Sequence, residues 1–227
     1  MRPNRFEDVT GQDHLFVLGS PLLQLASPED EHSIAVPSSI ILWGPPGTGK
    51  TTIALAVAKQ SGRTFIQLNA VSSGVKEVRD AVAAAHRERV DYGRGTLLFI
   101  DEIHRFSRSQ QDSLLAEVEN GSFVLIAATT ENPSISVNAP LLSRCVLLEL
   151  KALSAEQIEE VLGRALASPN GYNGKVRVAE GILKSIAVMA SGDARKGLVM
   201  LETLVGFMLS AQKETISEDE AFALLGA

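Results

Sequence analysis

Residues Trp43–Thr52 read WGPPGTGKTT and follow directly on the apolar run Ile40, Ile41, Leu42. A glycine-rich turn between a buried strand and a helix aims several backbone N–H groups into one small volume, and the helix N-terminus adds partial positive charge there. Such a volume suits a polyphosphate. Gly44, Gly49, Lys50 and Thr51 fit the spacing G-x-x-x-x-G-K-[ST]. That spacing places Lys50 to reach the β- and γ-phosphates and the Thr51 hydroxyl to ligate magnesium. Pro45, Pro46, Gly47, Thr48 and Thr52 complete the cradle. A strand, a phosphate loop and a helix in immediate succession restrict the chain to an α/β architecture.

The rest of the pattern agrees. Apolar runs at Ile40–Trp43, Thr64–Leu68, Leu97–Ile100, Val124–Ala128 and Val146–Leu150 are each too short for an independent helix and read as five strands. IILW, LLFI and VLIAA are apolar at every position, as expected where a parallel sheet is covered on both faces. Helical stretches at Thr51–Gln60, Val75–Arg89 and Ser109–Asn120 supply right-handed crossovers. The expected fold is a doubly wound, five-stranded parallel sheet. Ahead of it, Gly11–Leu25 reads as a broken helix restarting at Pro21.

No strand is expected after Leu150. Capping boxes at Ser154 with Gln157 and at Ser217 with Glu220 open helices, and Glu180–Ala190 and Asp193–Ala211 read as two more. The expected organisation is an α/β nucleotide-binding domain at 1–151 and a small all-helical domain at 152–227.

Composition excludes other classes. One cysteine, Cys145, and four scattered histidines build neither a disulfide framework nor a Cys/His zinc site. The opening MRPNRFEDV lacks an apolar signal core, and no run approaches the roughly 18 apolar residues of a membrane span, so a cytoplasmic, nucleoid-associated location is expected. A net charge of −6 argues against nucleic-acid binding by the whole surface but leaves room for a local basic patch. The acidic triplet Glu29, Asp30, Glu31 reads as solvated surface.

Leu97–Glu102, LLFIDE, puts two carboxylates at the C-terminal end of a buried strand, the edge where doubly wound sheets bind ligands. Asp101 suits a magnesium ligand, and Glu102 suits the group that orients and polarises an attacking water. Thr129 and Thr130 end the fourth strand; Thr129 is chosen here as the hydroxyl beside the γ-phosphate. Asn69 ends the second strand, where its amide either holds the Glu102 carboxylate or starts a turn. Arg144, in LLSRC, and Arg195, in SGDAR, stand apart from the sheet, and Asp193 reads as a helix cap.

These motifs, in this order, resemble the AAA+ ATPases of the clamp-loader group, P-loop NTPases with a helical lid. RPNRFEDVTGQDHL, SSGVKEVR, DEIHRFSRSQQD and ATTENPS further resemble the replication-associated recombination protein A family across almost all of residues 1–211. The resemblance implies an ATPase with ATP and Mg2+ as cofactors. It makes Thr129 the sensor beside the γ-phosphate, Asn69 the glutamate switch, and Arg144 an arginine finger reaching a neighbouring subunit. Arg195 becomes a second sensor closing the lid, and Arg2, Pro3, Val9, Thr10 and Gly11 a segment around adenine. Family members act at stalled or damaged replication forks as DNA-stimulated ATPases, with single-strand-binding protein, and assemble as tetramers. Ser107 and Val199 stand where the family often has Asn. Relatives also continue further, carrying the oligomerisation region, so the chain is expected to be an ATPase-plus-lid fragment.

Lys76, Arg79, Arg87, Arg89, Arg94, Arg105 and Arg108 are set against four acids besides Asp101 and Glu102, whereas the remainder carries fourteen basic and twenty-one acidic residues. Single-stranded or fork-like DNA is therefore expected along 76–108, although pairs such as Arg87 with Asp91 would also explain some of these charges. Competing readings are a sliding-clamp loader subunit, a Holliday-junction motor, and a scaffold that binds ATP only to assemble. A GTPase lacks its N-K-x-D signature here, and the Asp-Glu pair argues against a nucleotide kinase.

Overall fold

The computed structural model describes residues 5–27 and 38–226. Arg2, Pro3 and the triplet Glu29, Asp30, Glu31 lie outside the described residues.

Helix α1 (Pro21–Ala26) begins where Pro21 sets the first helical φ and the Ser20 hydroxyl accepts from the Leu23 N–H. There follow β1 (Ser39–Trp43), α2 (Lys50–Ser61), β2 (Thr64–Asn69), α3 (Val75–Tyr92), β3 (Thr96–Asp101), α4 (Arg108–Glu119) and β4 (Val124–Thr129). Two single-turn helices, α5 (Pro133–Ser136) and α6 (Ala139–Leu142), lead into β5 (Cys145–Glu149). Helices α7 (Ala155–Ala167), α8 (Glu180–Ala190), α9 (Ala194–Ser210) and α10 (Glu218–Leu225) complete the chain.

The five strands form one parallel sheet in the order β2-β3-β4-β1-β5, so the expected α/β fold class is observed. The uniformly apolar strands have the expected cause. Alternate side chains point to opposite faces, so Ile40, Leu42, Leu97, Phe99, Ile126 and Ala128 pack with α1 and α2. Ile41, Leu98, Ile100, Leu125 and Ala127 pack with Val78, Ala81 and Leu114 from α3 and α4. The edge strands β2 and β5 are only half-buried. The N-terminal segment joins the α2 face: Phe6, Val9 and Leu15 are buried there, and Phe6 stacks on Phe16 at 4.8 Å.

The chain divides into two compact units. One comprises residues 5–44 and 49–150, and the other residues 151–226 together with the tip of the phosphate loop, Pro45–Thr48. The second unit is all-helical, cored by Ile158, Leu162, Ile182, Ile186, Leu201, Leu204 and Met208. Ser154 and Ser217 form the two capping boxes expected of them, and Asp193 Oδ1 accepts from the Arg195 and Lys196 N–H groups to start α9. Gly197 lets α9 approach α7, since a Cβ there would already lie 3.1 Å from Ile158 Cγ2.

Candidate active site at the C-terminal edge of the sheet

Trp43, the last residue of β1, is in register with Thr129 on one side and Glu149 on the other, and Asn69 is in register with Asp101. One edge of the sheet therefore carries the start of the phosphate loop and the ends of the four other strands. Because β4 lies between β1 and β3, the loop and the Asp101–Glu102 pair are separated by two interstrand spacings, about 10 Å. That gap accommodates a phosphate chain and a water.

The loop is pinned at its first residue. The Gly44 N–H donates to the Thr129 carbonyl at 3.2 Å, and a Cβ at Gly44 would fall 2.3 Å from the Leu150 carbonyl oxygen. Its φ of +150° and the +102° of Gly49 further favour glycine. Lys50, only 8% exposed, turns its Nζ back onto the Gly44 carbonyl at 2.8 Å. No acidic residue lies in the first turn of α2, so the positive end of that helix is left uncompensated.

Asp101 ends β3 half-buried, and its carboxylate has no side-chain partner among the described residues. Thr51 is half-buried in the first turn of α2. A hydroxyl and a lone carboxylate are hard oxygen donors that suit Mg2+ carried in on phosphate oxygens. Among the described residues no cluster of three His, Cys, Asp or Glu side chains suited to a metal ion occurs.

Glu102 occupies left-handed backbone, φ 56° and ψ 47°, a conformation unfavourable for a residue with a Cβ. Buried Ile103 and Phe106, together with the Arg105 N–H on the Glu102 carbonyl at 2.8 Å, enforce the turn. The Glu102 carboxylate is met by His104 Nδ1 at 3.2 Å and by the Thr130 hydroxyl at 3.4 Å, both at Oε2.

Asn69 is not among these partners. Its Oδ1 accepts from the Val71 N–H at 2.9 Å, the turn-forming alternative that an asparagine at a strand end offers. The two threonines also divide differently from expectation. Thr129 is fully buried, with its hydroxyl accepting from the Glu131 N–H at 3.0 Å and 3.0 Å from His104 Nδ1. Thr130 is exposed, with its hydroxyl towards Glu102. Thr129 is the last residue of β4, a strand covered on both faces, whereas Thr130 lies just past the strand end, so Thr130 is the one that presents a hydroxyl at the surface of the edge. Thr130 is the alternative that the sequence offered beside Thr129, whereas His104 was not singled out from the sequence. The spacing of His104 two residues after Glu102, on a tight turn, was the available signal.

Arg144 follows α6 and places its guanidinium 2.9 Å from Glu119 Oε1 on α4. Arg195 is exposed in the first turn of α9. Val9 is buried beside α2, with Thr10 and Gly11 following it. All seven basic residues of 76–108 are exposed. Arg94 is engaged by Glu88 at 3.4 Å and by the Tyr92 ring, and Arg89 by the Gly121 carbonyl. Arg87 forms no ion pair with Asp91.

A profile of the ATPase family associated with various cellular activities (AAA) matches residues 40–151. The chain belongs to this family. It is 43% identical to replication-associated recombination protein A of Escherichia coli K12, over 90% of this chain and 44% of that protein. It is 46% identical to an uncharacterized AAA domain-containing protein of Mycobacterium tuberculosis, over 97% of this chain and 49% of that one. It is also 41% identical to the ATPase WRNIP1 of Dictyostelium discoideum, over 90% of this chain and 23% of that protein. The chain thus spans about half the length or less of these relatives. The resemblance read from its motifs is borne out. Among solved structures, the Thermotoga maritima RuvB Holliday junction branch migration motor superposes with a TM-score of 0.76, at 23% identity, over 99% of this chain and 72% of that one. At that identity the likeness speaks for the fold. Phosphate loop, fold and family together make the chain a nucleotide-binding protein.

Proposed function

We propose that this chain is the ATP-hydrolysing part of a DNA-stimulated ATPase that acts in replication-associated recombination at stalled or damaged forks. The observation that carries the reading is the convergence on one sheet edge of the Lys50 loop, the unpaired Asp101 carboxylate and Glu102 on a strained turn. The 43% identity to replication-associated recombination protein A supports the biological setting.

In this reading Lys50 and the α2 N-terminus neutralise the β- and γ-phosphates, while Thr51 and Asp101 hold Mg2+, whose charge, when bound, offsets that developing on the phosphate oxygens. Glu102 takes a proton from the water that attacks the γ-phosphorus as the bond to the β-phosphate oxygen breaks. Thr130, rather than Thr129, offers a hydroxyl to the γ-phosphate or that water, and Val9 to Gly11 border the base. Arg144 acts on a neighbouring subunit's nucleotide, and Arg195 is a sensor of the γ-phosphate. Single-stranded or fork-like DNA, single-strand-binding protein and a tetrameric assembly are proposed partners of the full-length protein, in the cytoplasm at the nucleoid. Among the described residues no helix is long and apolar enough to cross a membrane.

Phosphate release measured with and without single-stranded DNA, for the wild type and Glu102→Gln, tests the proposal. Hydrolysis that DNA accelerates and Glu102→Gln abolishes is expected. Tight ATP binding without any turnover, in the assembled full-length protein, would favour a scaffold.

A further inference from the structure

The side chain of His104 is only 5% exposed at this edge, and it joins three strand ends. Its Nδ1 lies 3.2 Å from Glu102 Oε2, on the turn after β3, and 3.0 Å from Thr129 Oγ1, the last residue of β4. The Thr129 carbonyl in turn accepts from the N–H of Gly44, the first residue of the phosphate loop after β1. His104 Nε2 faces Glu131 Oε1 at 3.5 Å. A buried ring whose Nδ1 sits between a carboxylate and a hydroxyl must donate there, because the carboxylate is an acceptor only.

We propose that His104 is a positioning residue for ATP hydrolysis: its Nδ1–H fixes one oxygen of the Glu102 carboxylate relative to β4 and the phosphate loop. The inference rests on the reading of Glu102 as the base. Oε2 carries both protein contacts of the carboxylate, and Oε1 has no partner among the described residues. Held by one oxygen, the carboxylate keeps a defined direction and leaves Oε1 to receive the proton of the attacking water. Glu102 is 29% exposed, and without His104 its side chain would be free to turn among rotamers in water. Misplacing a catalytic group lowers the rate of the chemical step more than it lowers substrate binding. Asn69, committed to the Val71 N–H, does not supply this contact.

The choice of replacement separates positioning from packing. The amide nitrogen of asparagine, two bonds from Cβ, can occupy the place of Nδ1, whereas the glutamine amide reaches only the place of Nε2. In full-length protein, His104→Ala is expected to lower kcat about 10- to 100-fold, the usual penalty for losing an orienting partner of a functional side chain. KM and the affinity for a fluorescent ATP analogue should stay within about two-fold. His104→Asn should recover most of the rate and His104→Gln should not, at equal unfolding midpoints. Adding His104→Ala to Glu102→Gln should bring no further loss in single-turnover hydrolysis of labelled ATP, since both act through one carboxylate.

A folded His104→Ala with wild-type kcat, equal impairment in the Asn and Gln variants, or a full multiplicative loss in the double variant would overturn the proposal. If His104→Ala does not fold, the Asn and Gln variants decide alone. Failure of the Glu102 reading itself would be recognised separately, by wild-type turnover in Glu102→Gln.

Discussion

The Arg144 guanidinium sits 2.9 Å from the Glu119 carboxylate, with the arginine side chain 53% exposed. Solvent-exposed ion pairs contribute about 0.2–1 kcal/mol, so this contact does not explain the arginine by stability alone. Arg144→Ala should shift the unfolding free energy by less than about 1 kcal/mol. If it is a finger acting in trans, it should lower hydrolysis by about 10³-fold or more in the assembled full-length protein while sparing ATP binding. Mixing in subunits with Glu102→Gln and intact Arg144 should restore part of the rate. Mixed assemblies without rescue would place its action within its own chain.

Lys50→Ala and Glu102→Gln should fail differently. Lys50 bears on phosphate charge in ground and transition states alike, so its loss should abolish nucleotide binding or hydrolysis. Glu102 bears only on the water, so Glu102→Gln should bind ATP normally and leave it uncleaved. Equilibrium binding of labelled ATP, followed by its recovery intact, checks both. Wild-type hydrolysis by Glu102→Gln would remove the assigned base.

Thr129 and Thr130 make an internal control. Thr129→Val would leave the partly buried Glu131 N–H and the His104 ring short of a partner, at an expected loss of about 1–3 kcal/mol in chemical denaturation. Thr130→Val, on the exposed side, should leave stability within about 0.5 kcal/mol and lower the hydrolysis rate. The reverse pattern would return the sensor role to Thr129.

Burial raises the Cys145 thiol from 9.0 to about 12. The folded chain therefore resists forming the thiolate. Its contribution to stability is complete below about pH 9 and is lost as pH rises from there towards 12. Since the thiolate is the nucleophile, labelling by iodoacetamide at pH 8 should be slow in the folded protein and fast after denaturation. Cys145→Ala should flatten the alkaline limb of the stability profile. Rapid labelling of folded protein would show the thiol to be less buried than it stands here.

Much of this was legible because its causes are local. The phosphate loop has a fixed spacing, the three core strands are apolar at every position, and Ser154, Asp193 and Ser217 cap helices by short-range hydrogen bonds. What could not be read depends on which strands are neighbours. The sheet order puts β4 beside β1, and only then does Thr129 become a buried link between Gly44 and His104. Local sequence offered Asn69 both a turn and a carboxylate, and the Val71 N–H, two residues away, is the nearer partner. Two single-turn helices, α5 and α6, escaped notice because one turn carries no periodicity.

The basic stretch 76–108 resolves into engaged and available charges. Arg89 and Arg94 are held by Gly121, Glu88 and Tyr92, whereas Arg105 and Arg108, at the end of the turn that carries Glu102 and His104 and just after it, are exposed and have no ion pair among the described residues. DNA phosphates are expected to use the available ones, because a cation already neutralised releases fewer counterions on binding. Changing Arg105 and Arg108 to Glu should weaken DNA binding by the full-length protein. The slope of log affinity against log salt should fall by about 0.7 per lost contact on a single strand, or about 0.9 on a duplex. Arg89→Glu should destabilise the α3 end while changing that slope less. Salt titrations by fluorescence anisotropy separate these effects, and an unchanged slope in the Arg105/Arg108 variant would return both residues to ordinary solvated surface.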